Sequence, residues 1–289
     1  MFTYPFEYAR PATIDDALRL LEERPDARPV AGGQSLIAAL KLRLAAPDAL
    51  VDLGALDALA SIGVNAREVV IGAMTRHATV AASNEIAAAI PALAALAAGI
   101  GDRQVRNMGT MGGSVANNDP AADYPAAVLA LDGTVQTTRR RIASDDFFVG
   151  LYETALQPGE LLTSIAFRIP SRAAYVKFKN PASRFALVGV FVAEFGTSVR
   201  VAVTGAGAGV FRVTQMEDAL RQDFSAAALD GLSVAADTLS SDIHASAAYR
   251  AHLIPVLARR AVQLALDGQD GPADGWQIPY QQPSFMGQE

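Results

Sequence analysis

The sequence contains no cysteine. Disulfides, thiolate metal sites, iron–sulfur ligation and a cysteine nucleophile are therefore excluded from this chain. Histidine is nearly as scarce, with only His77, His244 and His252. No two of these stand at metal-ligand spacing, and none is given a catalytic role. Positive charge is not in excess. The formal net charge of −6 points away from nucleic acid or an anionic membrane as partner. The triplet Arg139-Arg140-Arg141 is too short to change that and reads as a solvated strand end. Long hydrophobic runs are lacking too. The longest uncharged stretch, Ile86 to Gly101, is interrupted by Pro91 and Gly99. It falls short of the roughly 20 apolar residues that span a bilayer, and reads as a buried helix and its loop. Met1-Phe2-Thr3-Tyr4-Pro5 shows neither a basic nor an apolar leader, so a cytoplasmic location is expected.

What is present suits a globular protein. Of 289 residues, 51% are apolar and 19% charged, enough for a sizeable core in two domains, or in one large domain with lobes. Thr13 followed by Asp16 resembles a capping box opening a helix that Pro25 stops. Arg28 to Ala31 reads as a strand, Gly32-Gly33 as a tight turn, Leu36 to Leu44 as a helix, and Ala49 to Leu53 as a strand. These form a small lobe ending near residue 55. Strands follow at Ser61 to Val64 and Val69 to Ile71, with Thr75 capping a helix that ends near Ser83. After the Ala-rich helix comes a long loop from Gly99 to Ala122, a length that usually marks function. A helix from Tyr124 to Leu131 and strands at Thr134 to Thr138 and Leu161 to Ile169 complete a second lobe, with a turn at Pro158-Gly159. The last third reads as strands Tyr175 to Phe178, Leu187 to Phe195 and Val199 to Val203. Helices follow around Ser225 to Leu239 and Tyr249 to Leu266. Strands followed by helices indicate α+β. The expected division is 1–174 (lobes 1–55 and 56–174), a domain at 175–266, and an extended tail at 267–289. No internal repeat is seen.

Two glycine-rich sites carry the chemistry. In Ala31-Gly32-Gly33-Gln34-Ser35-Leu36, strand, paired glycines and helix start coincide. Glycine lets the backbone approach a ligand closely, and a helix start offers unpaired N–H groups suited to phosphate. An ordinary tight turn with a Ser cap is the plainer alternative. The second runs from Gly109-Thr110-Met111-Gly112-Gly113-Ser114 to Asp123, with glycines, hydroxyls, amides and two carboxylates. Such a loop can form an anion-binding nest. Alternatively, Asn118, Asp119 and Asp123 are turn and cap residues. Two such loops suit a ligand with two phosphates. Gly205-Ala206-Gly207-Ala208-Gly209 also follows a strand, but Phe211-Arg212-Val213 after it looks like a strand rather than the helix a dinucleotide fingerprint needs.

The two loops, with Gly101-Asp102-Arg103-Gln104-Val105-Arg106-Asn107, Pro158-Gly159-Glu160-Leu161-Leu162 and Tyr175-Val176-Lys177-Phe178, resemble the FAD-binding middle subunit of aerobic carbon monoxide dehydrogenase and the flavin domain of xanthine dehydrogenase. The resemblance spans nearly the whole chain. It implies a two-lobed FAD-binding domain of the vanillyl-alcohol-oxidase-like type, plus a C-terminal α+β domain with a small antiparallel sheet. It implies that Ala31, Gly32, Gly33, Gln34, Ser35 and Leu36 wrap the FAD pyrophosphate together with Thr110, Gly112, Gly113 and Ser114. It further implies that Ile100 and Gly101 line the cofactor, that Asp123 meets the adenosine end, and that Leu162 and Lys177 contact the isoalloxazine. An ammonium at Lys177 would stabilise charge on reduced flavin. Lys179-Asn180-Pro181-Ala182-Ser183-Arg184-Phe185 departs from the acidic or glycine-containing stretch common in relatives. Gln34 stands where many carbon monoxide dehydrogenases have His.

The implied function is an electron-transfer flavoprotein subunit. Its expected partners are an iron–sulfur small subunit and a molybdopterin large subunit, as a dimer of heterotrimers, with quinone, NAD or oxygen as acceptor. No residue of this chain is expected to be catalytic and no metal is expected in it. A stand-alone flavin oxidase of the same fold is the alternative, and a regulatory protein with a degenerate site is a third reading.

Overall fold

The computed structural model describes residues 2–268. Three main sheets organise it. In the first, Glu7–Ala9 and Arg28–Val30 flank Ala49–Asp52, all parallel. The central strand is apolar at successive positions because a parallel strand is covered on both faces, and Leu50 and Val51 are buried accordingly. The helix Ile14–Glu23 opens where the capping pattern placed it: the Thr13 hydroxyl accepts the Asp16 N–H at 3.1 Å.

The second sheet is antiparallel, in the order Ile62–Val64, Glu68–Gly72, Leu162–Arg168, Thr134–Thr137, Arg141–Ala143. Its centre is fully buried, with Ile165 opposite both Ile71 and Val135. The Ala-rich stretch is two helices, Asn84–Ala89 and Pro91–Ala98. Proline lacks the N–H needed to continue the first, yet its fixed φ suits the first turn of the second. Tyr124–Ala130 is buried at every position. It packs against the second sheet's core and the strands of the third.

The third sheet, also antiparallel, runs Arg172–Lys179, Ala186–Phe195, Ser198–Thr204, Phe211–Arg212. Side chains alternate between faces with period two. Val188, Val190, Val192, Val199, Val201 and Val203 face a core shared with the long helix Ala247–Asp267. Phe191, Ala193 and Ala202 belong to the core of the second sheet. The sheet is thus covered on both sides, and the middle and last parts of the chain share an apolar seam.

Four expectations fail. Ser225 to Leu239 is no helix: it holds a single 3₁₀ turn, Ala227–Leu229, and Gly231 adopts φ +76°, outside helical geometry. The helix lies earlier, at Thr214–Gln222, where Met216 and Leu220 are buried one turn apart. Thr75 does not cap the next helix, His77–Ala82; the preceding position is Arg76, and the Thr75 hydroxyl donates to the Ser61 carbonyl at 3.3 Å. The supposed loop from Gly99 to Ala122 contains Arg103–Met108 and Met111–Asn117, capped by the side chains of Asp102 and Thr110. These helices are too short to show apolar periodicity, so only their caps announce them. Asp267 closes a helix rather than opening an extended tail, and residues 269–289 lie outside the described residues. Among the described residues no helix is long and apolar enough to cross a membrane.

Candidate cofactor-binding site

The two glycine turns meet. A Cβ on Gly32 would lie 2.1 Å from the Met108 carbonyl oxygen and 2.7 Å from the Gly109 Cα, and one on Gly113 would lie 3.5 Å from the Ala31 Cβ. Only a residue without a side chain permits the first of these approaches.

The first turn is open. Its backbone leaves the strand, passes Gly33 at φ +70° and enters the helix Leu36–Lys41. Among the described residues the N–H groups of Gly32, Gly33, Gln34 and Ser35 have no acceptor. Ser35 sits at the helix start without making a side-chain cap bond, so the plain Ser-cap reading fails. The Gln34 side chain donates to the Gly32 carbonyl at 3.2 Å. Leu36 turns inward to pack near Val30 and Leu40. Consecutive unpaired donors on a half-exposed turn form an anion-binding concavity.

The second turn is closed, which corrects the expectation of a second amide nest. Met111 donates to Thr75 O at 2.9 Å, Gly112 to Ala73 O at 2.9 Å and Ser114 to Thr110 O at 3.1 Å. Gly113 donates to the Thr110 hydroxyl at 3.1 Å. Gly112 is required by packing, since its Cβ would stand 2.5 Å from that of Ala73. What this turn turns toward the first is the bare backbone of Gly113, with the half-buried Ser114 next to it.

His77, given no role from the sequence, supports this turn. Its N–H donates to Gly109 O at 3.0 Å, and a Cβ on Gly109 would lie 2.6 Å from its Nε2. Its ring lies 5.4 Å from that of Tyr124. Burial, with a smaller push from Arg106, lowers its pKa to about 4. A lone histidine carries no signal in sequence that would have revealed this. Asn118 and Asp119 take the turn roles the sequence left open. Asn118 ends Met111–Asn117 in the left-handed region, and the Asp119 carboxylate accepts the Ala121 N–H at 2.9 Å.

Asp123 and Lys177 were expected at opposite ends of a dinucleotide. They are in contact, with Nζ 2.8 and 2.9 Å from the two carboxylate oxygens and both side chains 4% exposed. The Tyr175 hydroxyl donates to the same carboxylate at 2.5 Å, and burial first, then Asp123, pushes the Tyr175 pKa up. Asp123 makes no helix-cap bond. The cap reading is therefore wrong, and the pair can serve only one end of a ligand. Tyr175 was missed, although it lies two residues from Lys177 on the same strand and so on the same face.

Lys177 lies against the turn Gly99–Gly101: a Cβ on Gly99 would be 4.0 Å from Lys177 Cε. Gly101 sits at φ +49°. Arg106 Nη1 donates to Ile100 O at 2.8 Å and Gly101 O at 3.0 Å, and Arg184 Nη1 reaches Gly101 O at 3.5 Å. Leu162 is buried in the core of the second sheet. The helix Arg103–Met108 connects this turn to Gly109. The expected residues therefore fall into two groups that this helix joins: the paired glycine turns, and a cluster of Ile100, Gly101, Asp123 and Lys177. Open amides, two hydroxyls and glycine backbone suit a diphosphate at the first group.

Comparison with known proteins agrees. Residues 4–171 match the family described as the FAD binding domain in molybdopterin dehydrogenase, and residues 173–265 the CO dehydrogenase flavoprotein C-terminal domain. The nicotine 6-hydroxylase medium subunit of Paenarthrobacter nicotinovorans is 39% identical over 271 residues, covering 88% of this chain and 95% of that one. The carbon monoxide dehydrogenase medium chain of Afipia carboxidovorans is 35% identical over 277 residues, covering 90% and 96%. Among solved structures, reconstituted CO dehydrogenase from Oligotropha carboxidovorans superposes with a TM-score of 0.84 at 35% identity, over 92% of this chain and 99% of that one. Quinoline 2-oxidoreductase from Pseudomonas putida 86 gives 0.84 at 29%, over 93% and 99%. The chain belongs to the FAD-binding subunits of the molybdenum hydroxylases, the oxidoreductase family that includes the carbon monoxide dehydrogenase medium chain.

Proposed function

We propose that this chain holds FAD between its two glycine turns and passes electrons from iron–sulfur clusters of a partner subunit to an external acceptor. The observation that carries the reading is the pair of touching turns, one with its amides open. With no cysteine in the sequence, clusters ligated by thiolates belong to another chain. A molybdopterin-binding large subunit and an iron–sulfur small subunit are the partners proposed, in a cytoplasmic dimer of heterotrimers. The division into 1–174, 175–266 and a tail is part of the same proposal.

Bound FAD supplies the capacity to take electrons singly and release them in a pair. The chain's own residues bind and orient. The amides of Gly32 to Ser35 and the Ser35 hydroxyl hold the diphosphate, with Ala31, Gln34 and Leu36 fixing the turn. Thr110 and Gly112 keep the second wall rigid, while Gly113 and Ser114 form its surface. Ile100, Gly101, Leu162 and the Asp123–Lys177 pair border the isoalloxazine. Among the described residues no group is poised as a general acid or base toward a substrate, so substrate chemistry is assigned to another chain.

The test is recovery of the tagged chain from its native host. One FAD per chain, co-purifying molybdenum and iron, and no turnover by the separated FAD-loaded chain are expected. A yellow monomer that oxidises a small alcohol by itself would establish the oxidase instead, and a chain that takes up no FAD would overturn the cofactor assignment.

A further inference from the structure

We propose that Arg106, assisted by Arg184, supplies the positive charge at the isoalloxazine end of the site, in the place that the sequence pattern gives to Lys177. The proposal rests on FAD binding as described above.

The Lys177 charge is cancelled where it stands. Its carboxylate partner lies at 2.8 Å with both side chains 4% exposed, and a neutral buried pair projects only a dipole field on its surroundings. Arg106 differs. It lies on the turn Ile100–Gly101, but both of its hydrogen-bond partners are neutral carbonyl oxygens. Among the described residues no carboxylate lies within ion-pair distance of it. Its field reaches the neighbouring imidazole, where it adds to burial in holding His77 neutral.

The geometry also passes that charge through the backbone. The Ile100 carbonyl and the Gly101 N–H belong to one peptide group, so a guanidinium on the oxygen strengthens the N–H as a donor. Among the described residues that N–H has no acceptor. Arg184 reaches the next carbonyl, that of Gly101, at 3.5 Å. Its segment is built to hold it there. Asn180 Oδ1 accepts from the Ala182 and Ser183 N–H groups at 2.9 and 3.1 Å. The Arg184 N–H donates to Asn180 O at 2.9 Å, and Arg184 itself takes φ +63°. A non-glycine residue in that region is held at a conformational penalty. The run Asn180 to Phe185 therefore brings a second cation to Gly101.

Reduction of a bound flavin by two electrons and one proton leaves negative charge on the ring, and uncompensated positive charge beside it favours that form. The test is the two-electron midpoint potential of the FAD-loaded full chain, measured by spectroelectrochemistry with mediator dyes. Arg106→Gln should lower the equilibrium constant for reduction about tenfold, which for a two-electron couple is about 30 mV more negative. Arg106→Lys should recover most of that. Arg184→Gln, on an exposed segment that leaves the fold intact, should shift the potential the same way by about half as much. An unchanged potential in Arg184→Gln, or equal shifts in Arg106→Gln and Arg106→Lys, overturns the proposal while FAD binding stands. If the wild-type chain takes up no FAD, the cofactor reading fails and takes the proposal with it.

Discussion

The two glycine-rich segments read alike in sequence and differ in the structure. In 31–36 consecutive backbone donors are left open. In 109–123 the donors and carboxylates are largely committed inside the chain: the amides of 111–114 donate to Thr75, Ala73 and Thr110, Asp119 accepts from Ala121, and Asp123 accepts from Lys177 and Tyr175. The first segment is therefore set for a ligand, while the second is a rigid wall against which the first is held. A glycine motif by itself does not separate these roles, because glycine serves close ligand approach and close internal packing through the same missing Cβ.

Variants at each segment should separate stability from binding. The largest effect is expected at Lys177→Met, which leaves the Asp123 carboxylate buried without its partner and should destabilise the unliganded chain by about 3–5 kcal/mol. Adding Asp123→Asn should return much of this, as measured by urea denaturation. If Lys177→Met melts like wild type, the closed description of 109–123 is wrong.

Acid should loosen the second segment next. His77 has a folded pKa of about 4 against an ordinary 6.5. Between those values only the unfolded chain takes the proton, so its contribution is complete above pH 6.5 and is lost as pH falls toward 4. The loss is at most about 3 kcal/mol. Urea midpoints at pH 7 and pH 4.5 measure it, and His77→Leu should flatten the slope. Gly112→Ala follows, forcing a methyl against Ala73 and destabilising by about 1–3 kcal/mol.

The smallest changes draw the sharpest contrast. Thr110→Ala removes the hydroxyl that holds Gly113 and should lower the stability of the unliganded chain by about 1 kcal/mol. Ser35→Ala removes no internal bond, so its melting temperature should match wild type. FAD affinity, read by flavin fluorescence, should nevertheless fall by about tenfold, the worth of one hydrogen bond to a charged group. Equal melting losses in both variants would erase the distinction between the segments.

Much of the fold was legible. The Thr13 cap, two of the three strands of the first sheet and the alternating valines of the third sheet follow local rules of capping and periodicity, whereas the short strand Glu7–Ala9, with only partly apolar and largely exposed positions, was not legible. The helices Arg103–Met108 and Met111–Asn117 were not legible, since six or seven residues with few apolar positions leave no periodic trace and depend on Asp102, Thr110 and surrounding packing. Gly231 hid the non-helical path of Ser225 to Leu239, because a glycine's φ is chosen by context. At the site, the residue types of both turns could be named in advance. Arg106, His77 and Tyr175 could not, because their roles come from neighbours distant in the chain.

The sequence by itself determined that the chain has no thiolates, holds two glycine turns next to helix starts, and carries apolar patterns for an α+β fold. These are properties of composition and of neighbours a few residues apart. Only tertiary structure decided that the turns touch, that one keeps its amides while the other has used them, and that Lys177 is neutralised while Arg106 is not. Hydrogen bonds and charges are satisfied by whichever groups folding brings within about 3 Å, and sequence separation says nothing of that distance.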